Sequence, residues 1–272
     1  MSHSFRWQCV FLAGALLVAL PLRAGAGEAA GQFERTLKVT GPVNLTAETG
    51  AGKISVRAGS SGTVRVVGRI KVIKVWRSGS AEDAVRRIES FPPVEQSGNT
   101  IRVGQIRERD LREVVQISYE IVVPAETELR ANSGLGDIVV EALRGRVDAE
   151  SGAGNVRVTG VAGEIRAESG LGDIEIRGAR GSLRAKTGAG SIHVEGEPSE
   201  TWRLDTGLGN VNVRLPQTAK FEIYARTGLG SIDTKHPLSV QGGFASSEVR
   251  GKVRGGGPLI DISSGAGSIH ID

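Results

Sequence analysis

Residues 133–192 read SGLGDIVVEALRGRVDAE (Ser133–Glu150), SGAGNVRVTGVAGEIRAE (Ser151–Glu168), SGLGDIEIRGARGSLRAK (Ser169–Lys186) and TGAGSI (Thr187–Ile192). One hexamer, [Ser/Thr]-Gly-[Ala/Leu]-Gly-x-[Ile/Val], opens every line, and its start advances by 18 residues three times in succession. Further copies begin at Thr49, Thr206, Thr227 and Ser264, making eight in all. Such a fixed period marks a fold assembled from stacked copies of one supersecondary unit.

Aligned on the hexamer, the repeats show columns. Four residues before the Ser/Thr stand Leu129, Val147, Ile165, Leu183 and Trp202, and two before it stand Ala131, Ala149, Ala167, Ala185 and Leu204. Beyond the hexamer's own Ile/Val, the residue two further on is Val140, Val158, Ile176, Val194 or Val213. Apolar residues alternate with polar ones, the period-2 signature of half-buried strands. Each unit therefore holds two short strands and two glycine-marked corners. An antiparallel meander and a parallel β-solenoid both satisfy this pattern. The inward parity shifts between Leu171 and Ile174, as a chain rounding a corner requires, and the constant columns favour stacking like on like. The fold class predicted is all-β: a parallel β-solenoid (β-helix) of ~18-residue coils.

Glycine makes up 39 of the 272 residues. In the hexamer it permits tight bends and close backbone approach, and the Ser/Thr hydroxyls are placed to hydrogen-bond from rung to rung. Between the glycines, small and large side chains (Ala51, Leu135, Ala153, Leu171, Ala189, Leu208, Leu229, Ala266) alternate over most rungs. Interdigitation inside the core is the expectation for them.

The rest of the chain departs from the period. Residues 27–124 read as an N-terminal β-rich region, with strands between Phe33 and Trp76 and a short helix near 80–90. Ser80 is its N-cap, and Ala81, Ala84, Val85 and Ile88 form one apolar face before Phe91-Pro92-Pro93 stops it. Residues 125–272 form the glycine-rich repeat solenoid, with an insertion near 241–258. Residues 1–26 read as a secretory signal peptide: Arg6, an apolar run from Cys9 to Leu20, Pro21, and small residues at Ala24-Gly25-Ala26. That run is too short to span a bilayer. Cleavage there removes the only cysteine, so neither disulfides nor thiol chemistry enter the mature protein. It also removes two of the 34 basic residues and no acid, leaving charge near balance and no case for a nucleic-acid partner.

Tyr119-Glu120-Ile121-Val122-Val123-Pro124, then Leu129-Arg130-Ala131-Asn132-Ser133-Gly134-Leu135-Gly136-Asp137-Ile138 and the serial Ser/Thr-Gly repeats, resemble the bacterial putative-adhesin family over roughly residues 32–272. The resemblance implies an exported envelope protein built around a β-helical domain of unknown function. It brings no defined catalytic or binding residues.

Each residue pattern that could carry chemistry also has a structural role. No third glycine completes Gly-x-Gly-x-x-Gly in any hexamer, and no P-loop occurs, so nucleotide cofactors are not expected. After the second glycine come Lys53, Asp137, Asn155, Asp173, Ser191, Asn210, Ser231 and Ser268. Some are calcium-type ligands, but all except the lysine are also ordinary turn residues. Outward columns carry Arg130, Asp148, Arg166, Arg184 and Arg203 beside Asn132, Glu150, Glu168, Lys186 and Asp205. They read as a solvated ion-pair face, with an arginine stripe for an acidic polysaccharide as the sharper alternative. Glu150, Glu168 and Glu175 are the acids a glycosidase would need close together. His193, His236 and His270 are the only histidines after residue 26, and no catalytic elbow or metalloprotease motif contains them. No catalytic, cofactor-binding or metal residue is assigned.

The sequence thus reads as an exported, non-catalytic β-solenoid acting as an adhesin-like binding or structural module of the bacterial cell envelope. Its location is extracytoplasmic (periplasm, cell surface or secreted). Its partner is an envelope or surface ligand, protein or polysaccharide, with no nucleic acid, no transmembrane segment and no cofactor. Solenoid ends also offer strand edges for end-to-end self-association. The alternatives are a polysaccharide-active enzyme on the same scaffold and a self-assembling envelope scaffold.

Overall fold

Alternating apolar residues draw the chain into short strands whose inward side chains share one core between two sheets. The computed structural model describes residues 30–73, 79–240 and 247–272. The signal-peptide reading of residues 1–26 and part of the 241–258 insertion lie outside them.

The described chain starts on β1 (Ala30–Lys38), makes one coil with β2 (Val43–Ala51) and β3 (Ile54–Ala58), and leaves the coil pattern at β4 (Thr63–Val72). There follow α1 (Ala81–Ser90), β5 (Val94–Ser97), β6 (Thr100–Val103), α2 (Arg109–Val114) and β7 (Val115–Val123). The regular coils then pair β8 (Thr127–Leu135) with β9 (Ile138–Glu141), β10 (Val147–Ala153) with β11 (Val156–Thr159), and β12 (Ile165–Leu171) with β13 (Ile174–Ala179). Two more pair β14 (Leu183–Ala189) with β15 (Ile192–Gly196) and β16 (Trp202–Leu208) with β17 (Val211–Arg214). After them come β18 (Phe221–Leu229), β19 (Ile232–Thr234), β20 (Leu238–Val240), β21 (Glu248–Val253), β22 (Leu259–Ala266) and β23 (Ile269–Ile271).

The first strand of every coil joins one sheet and the second joins the other. The two orders are β20-β21-β18-β22-β16-β14-β12-β10-β8-β2-β6-β5 and β1-β4-β7-β3-β9-β11-β13-β15-β17-β23-β19. Pairing between coils is parallel and in register, so Ser133, Ser151, Ser169 and Thr187 stand in one line. This is the solenoid and not the meander. The inward columns are sealed: Ile165, Ala167, Ile174 and Ile176 are at most 1% exposed. Each such isoleucine contributes about 1.5–3 kcal/mol by leaving water. Trp202 fills the Ile165 column and is fully buried, its indole N–H donating to Gly181 O at 3.1 Å.

Spatial order departs from chain order at both ends. The early coil carrying Thr49 stacks directly on the coil of Ser133. The intervening β4 runs antiparallel beside β7 and β1, and β5 antiparallel beside β6, closing that end of the stack. Helix α1 covers β1; its Ser80–Asp83 capping box and buried Ala84, Val85 and Ile88 match the apolar face read from sequence. At the other end β22 lies between β16 and β18, and β23 between β17 and β19. The last coil in sequence is therefore the seventh in space, inserted beneath the coil of Thr227. Strand β21 occupies the far edge of β18 in antiparallel pairing, so only the near edge of β18 remains for β22. Three of the four sheet edges are short: β5 has four residues, and β19 and β20 three each. Short edges blunt further strand addition.

Candidate functional site: corners and outer faces

The hexamer is consumed by its neighbours. In seven of the eight hexamers the Ser/Thr hydroxyl is buried and donates to the second-glycine carbonyl of the adjacent rung, as with Ser151 Oγ to Gly136 O (2.9 Å), Ser169 Oγ to Gly154 O (2.8 Å) and Thr187 Oγ1 to Gly172 O (2.9 Å); half-buried Thr49, on the first rung, donates to Ile117 O (2.9 Å) and Ala51 O (2.9 Å). The line follows spatial order through the inserted coil, Ser264 Oγ reaching Gly209 O and Thr227 Oγ1 reaching Gly267 O. Backbone amides that a phosphate loop would present are spent on the next rung, as with Gly154 N to Leu171 O (2.9 Å). The Asp/Asn/Ser column makes a second ladder, with Asp137 Oδ1 accepting from Asn155 N (2.9 Å), Asn155 Oδ1 from Asp173 N (2.9 Å) and Asp173 Oδ1 from Ser191 N (2.7 Å). Asp137 and Asp173 are thus two rungs apart, each committed to a backbone amide. The column's chemistry is that of a side-chain ladder.

The residue between the glycines corrects the expectation of a core role. Leu135 and Leu171 are each 62% exposed, Leu208 61% and Leu229 74%. In spatial order this corner column runs Ala51, Leu135, Ala153, Leu171, Ala189, Leu208, Ala266, Leu229. The turn at the positive-φ second glycine carries these side chains outside the two sheets, where the strand parity would have sent them inward.

On the outer face of the β8–β16 sheet, the charged columns form an ion-pair net that stops part-way. Asp148 lies between Arg130 (3.5 Å) and Arg166 (3.8 Å). Glu168 lies between Arg166 (3.0 Å) and Arg184 (4.0 Å). One rung further the net ends: Lys186 and Arg203 have no carboxylate within 4.0 Å among the described residues. They border a shallow depression also lined by Arg184, Arg226, Asp205, Asp261 and Ser263. Arg226 Nε donates to Ser263 Oγ (3.3 Å), and Tyr224 beside it carries the Arg250 guanidinium 4.2 Å from its ring centroid. Four cations thus surround two carboxylates. The inserted coil helps build this patch, since it supplies Asp261 and Ser263.

The chain matches the Toastrack DUF4097 family model over residues 43–272, which takes in all eight hexamers. It belongs to the Toastrack family. Solved structures similar to this Toastrack chain include a putative cell adhesion protein from Clostridium sporogenes (12% identity, 89% of this chain and 99% of that one, TM-score 0.36). A putative adhesin from Bacteroides fragilis is also similar (14% identity, 89% and 97%, TM-score 0.38), as is one from Parabacteroides distasonis (9%, 88% and 97%, TM-score 0.32). No curated protein matches in sequence.

Two of the three acids come together and the third does not. Glu150 and Glu168 are register partners on the β8–β16 face, whereas Glu175 sits on β13 in the opposite sheet. There the Arg157 guanidinium, 2.7 Å away, holds the Glu175 carboxyl below the usual carboxylate range, with Arg177 adding to it. A carboxyl so held is ionised and unsuited to act as a general acid. The histidines are dispersed. His193 and His270 share one outward column, but Asn212 stands between them, its Nδ2 3.2 Å from His193 Nδ1. Two rungs put the imidazoles about 9.6 Å apart, too far to share a metal ion. His270 Nδ1 lies 3.5 Å from Asp233, and His236 is buried edge-on against Phe221. Among the described residues no group of three metal-ligating side chains gathers, and no helix is long and apolar enough to cross a membrane. Sequence reasoning named Arg184, Lys186 and Arg203 within a stripe. It missed Tyr224, Arg226 and Ser263, because their place beside the stripe depends on the order of the last coils.

Proposed function

We propose that this Toastrack chain is an exported, non-catalytic, adhesin-like binding or structural module of the bacterial cell envelope. Its ligand surface is the basic end of the outer face around Lys186, Arg203 and Arg226, and an acidic polysaccharide is the ligand class this surface suits. The observation that carries the reading is the break in the ion-pair net at Lys186 and Arg203. On the coils before the break Arg130, Arg166 and Arg184 each lie within 4.0 Å of Asp148 or Glu168, and exposed pairs of that kind are worth about 0–1 kcal/mol each. At the break the cations stay available to a repeating anion, on a backbone held rigid by two hydrogen-bonded sheets. Strand spacing of about 4.8 Å sets alternate rungs near the repeat of an extended sugar chain. Supporting the exported location are the signal-like residues 1–26 and the absence of cysteine from the remainder.

Titration calorimetry with a polyuronate tests the ligand, compared between wild type and the Lys186→Glu/Arg203→Glu double variant. Binding is expected to weaken with added salt and to be lost in the variant, whose thermal melt stays unchanged because both side chains are exposed. Equal binding by both proteins refutes the site. N-terminal sequencing tests the address: a mature start near Gly27 is expected, and retention of residues 1–26 on membrane-embedded protein refutes export. Release of reducing sugar from the polyuronate would refute the non-catalytic reading.

A further inference from the structure

Four of the seven exposed large apolar side chains among the described residues, Leu135, Leu171, Leu208 and Leu229, lie on one line along the corner of the solenoid. A surface that scattered its apolar residues would need no explanation; a row does. The row also has a rhythm. Every leucine is separated from the next by one alanine rung, and this holds only in spatial order. In chain order Leu208 and Leu229 are consecutive, and the inserted coil, carrying Ala266, restores the alternation. Knobs about 9.6 Å apart are thus separated by alanine-sized gaps over a strip of eight rungs, about 34 Å long. Flanking it on one side is the exposed first-glycine column, which has no side chain to hold a neighbour away.

We propose that two copies of this chain pair edge to edge along this ridge, antiparallel, about a two-fold axis perpendicular to the solenoid axis. A closed dimer maps the ridge onto itself, and only two orientations of the axis do so. With the axis along the solenoid, equal rungs meet and Leu171 confronts Leu171 of its partner. With the axis across the solenoid, the first rung meets the eighth, the second the seventh, and so on. Leu135 then faces Ala266, Leu208 faces Ala153, Leu171 faces Ala189, and Leu229 faces Ala51. Every knob meets a gap. The polar column beside the ridge agrees: Asp137 comes opposite Ser268 and Asp173 opposite Ser191, so carboxylate never meets carboxylate. A strip of these dimensions buries roughly 1,000 Å² over both copies, at the lower bound for a specific interface, so the dimer is weak and concentration-dependent.

Sedimentation equilibrium of the purified protein, in a Cys9→Ser background and over about a hundredfold concentration range, is the first test. A reversible monomer–dimer equilibrium is expected, abolished by Leu171→Asp/Leu208→Asp. Those two leucines are exposed, so the variant keeps the wild-type melt. Disulfide trapping gives the orientation. Leu135→Cys and Ala266→Cys lie five rungs, about 24 Å, apart within one chain and cannot bridge internally. The double variant is expected to form a covalent dimer on oxidation, and neither single variant is. A monomer at every concentration overturns the proposal. So does a dimer that survives the aspartates, a dimer cross-linked by Leu135→Cys alone, or a monomer whose leucines serve only to bind lipid vesicles.

Discussion

Inserting the last coil between two earlier ones has a consequence that a pair of cysteines can measure. Asp205 on β16 is the direct register partner of Ser263 on β22, and Ser263 is in turn the partner of Arg226 on β18. Neighbouring strands bring Cα atoms to about 4.8 Å, inside the range a disulfide spans, while strands two apart stand at about 9.6 Å, outside it. Asp205→Cys/Ser263→Cys, in a Cys9→Ser background, should therefore oxidise to a bridged monomer. Asp205→Cys/Arg226→Cys should stay reduced. The bridged loop closes roughly 60 residues of the unfolded chain, which in the chain-entropy model stabilises the fold by about 4 kcal/mol, less any strain. Positions 205 and 226 are exposed and 263 half-buried, so little packing is lost on substitution. Mass spectrometry of peptides cut without reduction identifies the bridge, and paired melts with and without reductant give its energy. Stacking in chain order predicts the reverse, with 205 bridging to 226 and 263 free. That result would refute the inserted coil, and with it the alternation of the leucine ridge.

The corner glycines give a second prediction. A Cβ on Gly170 would sit 2.4 Å from Gly152 O, and one on Gly172 2.3 Å from Gly154 O at a φ of +148°. Gly170→Ala and Gly172→Ala should each lower stability by about 1–3 kcal/mol in urea titrations, with like losses at Gly152 and Gly188; indifference at any of these would deny the stacked corner. Strand phase is tested by Ile174→Asp, which sets a charge in a fully buried column and should cost several kcal/mol, against Glu175→Gln on the facing-out position, at about 0.5 kcal/mol or less. Comparable losses would mean the phase is wrong. The cap of α1 should titrate. Arg86 first, then the Ser80 amide and hydroxyl, hold the Asp83 carboxyl down to about 2. A lowered folded pKa means its contribution is complete above the unfolded value near 4 and is lost as pH falls from there towards 2. The Ser80 amide resonance should follow that titration and become flat over this range in Asp83→Asn.

What the sequence determined by itself was the coil. Which residues of a strand face inward depends on local alternation, and where the chain must bend depends on glycine, so Ile165, Ala167, Ile174, Ile176 and the corner at Gly172 were legible from the repeat alone. The helix at Ala81–Ser90 was legible for the same reason, because its cap and apolar face lie within ten residues of one another. Only the tertiary structure decided how the coils are stacked. The hexamers at Thr206, Thr227 and Ser264 are chemically interchangeable, and each presents the same backbone edge to any neighbour. Their order is settled by what else claims those edges: β21 covers one side of β18, and β22 is left the other. The exposure of the corner leucines was hidden too, since period-2 parity assigns them inward and only the three-dimensional course of the bend turns them out. The columns that supply the basic patch and the leucine ridge were visible in the repeat, but the meeting of Arg226 and Ser263 with Arg203, and of Ala266 with Leu208 and Leu229, rests on the order of the last coils, which the period does not encode.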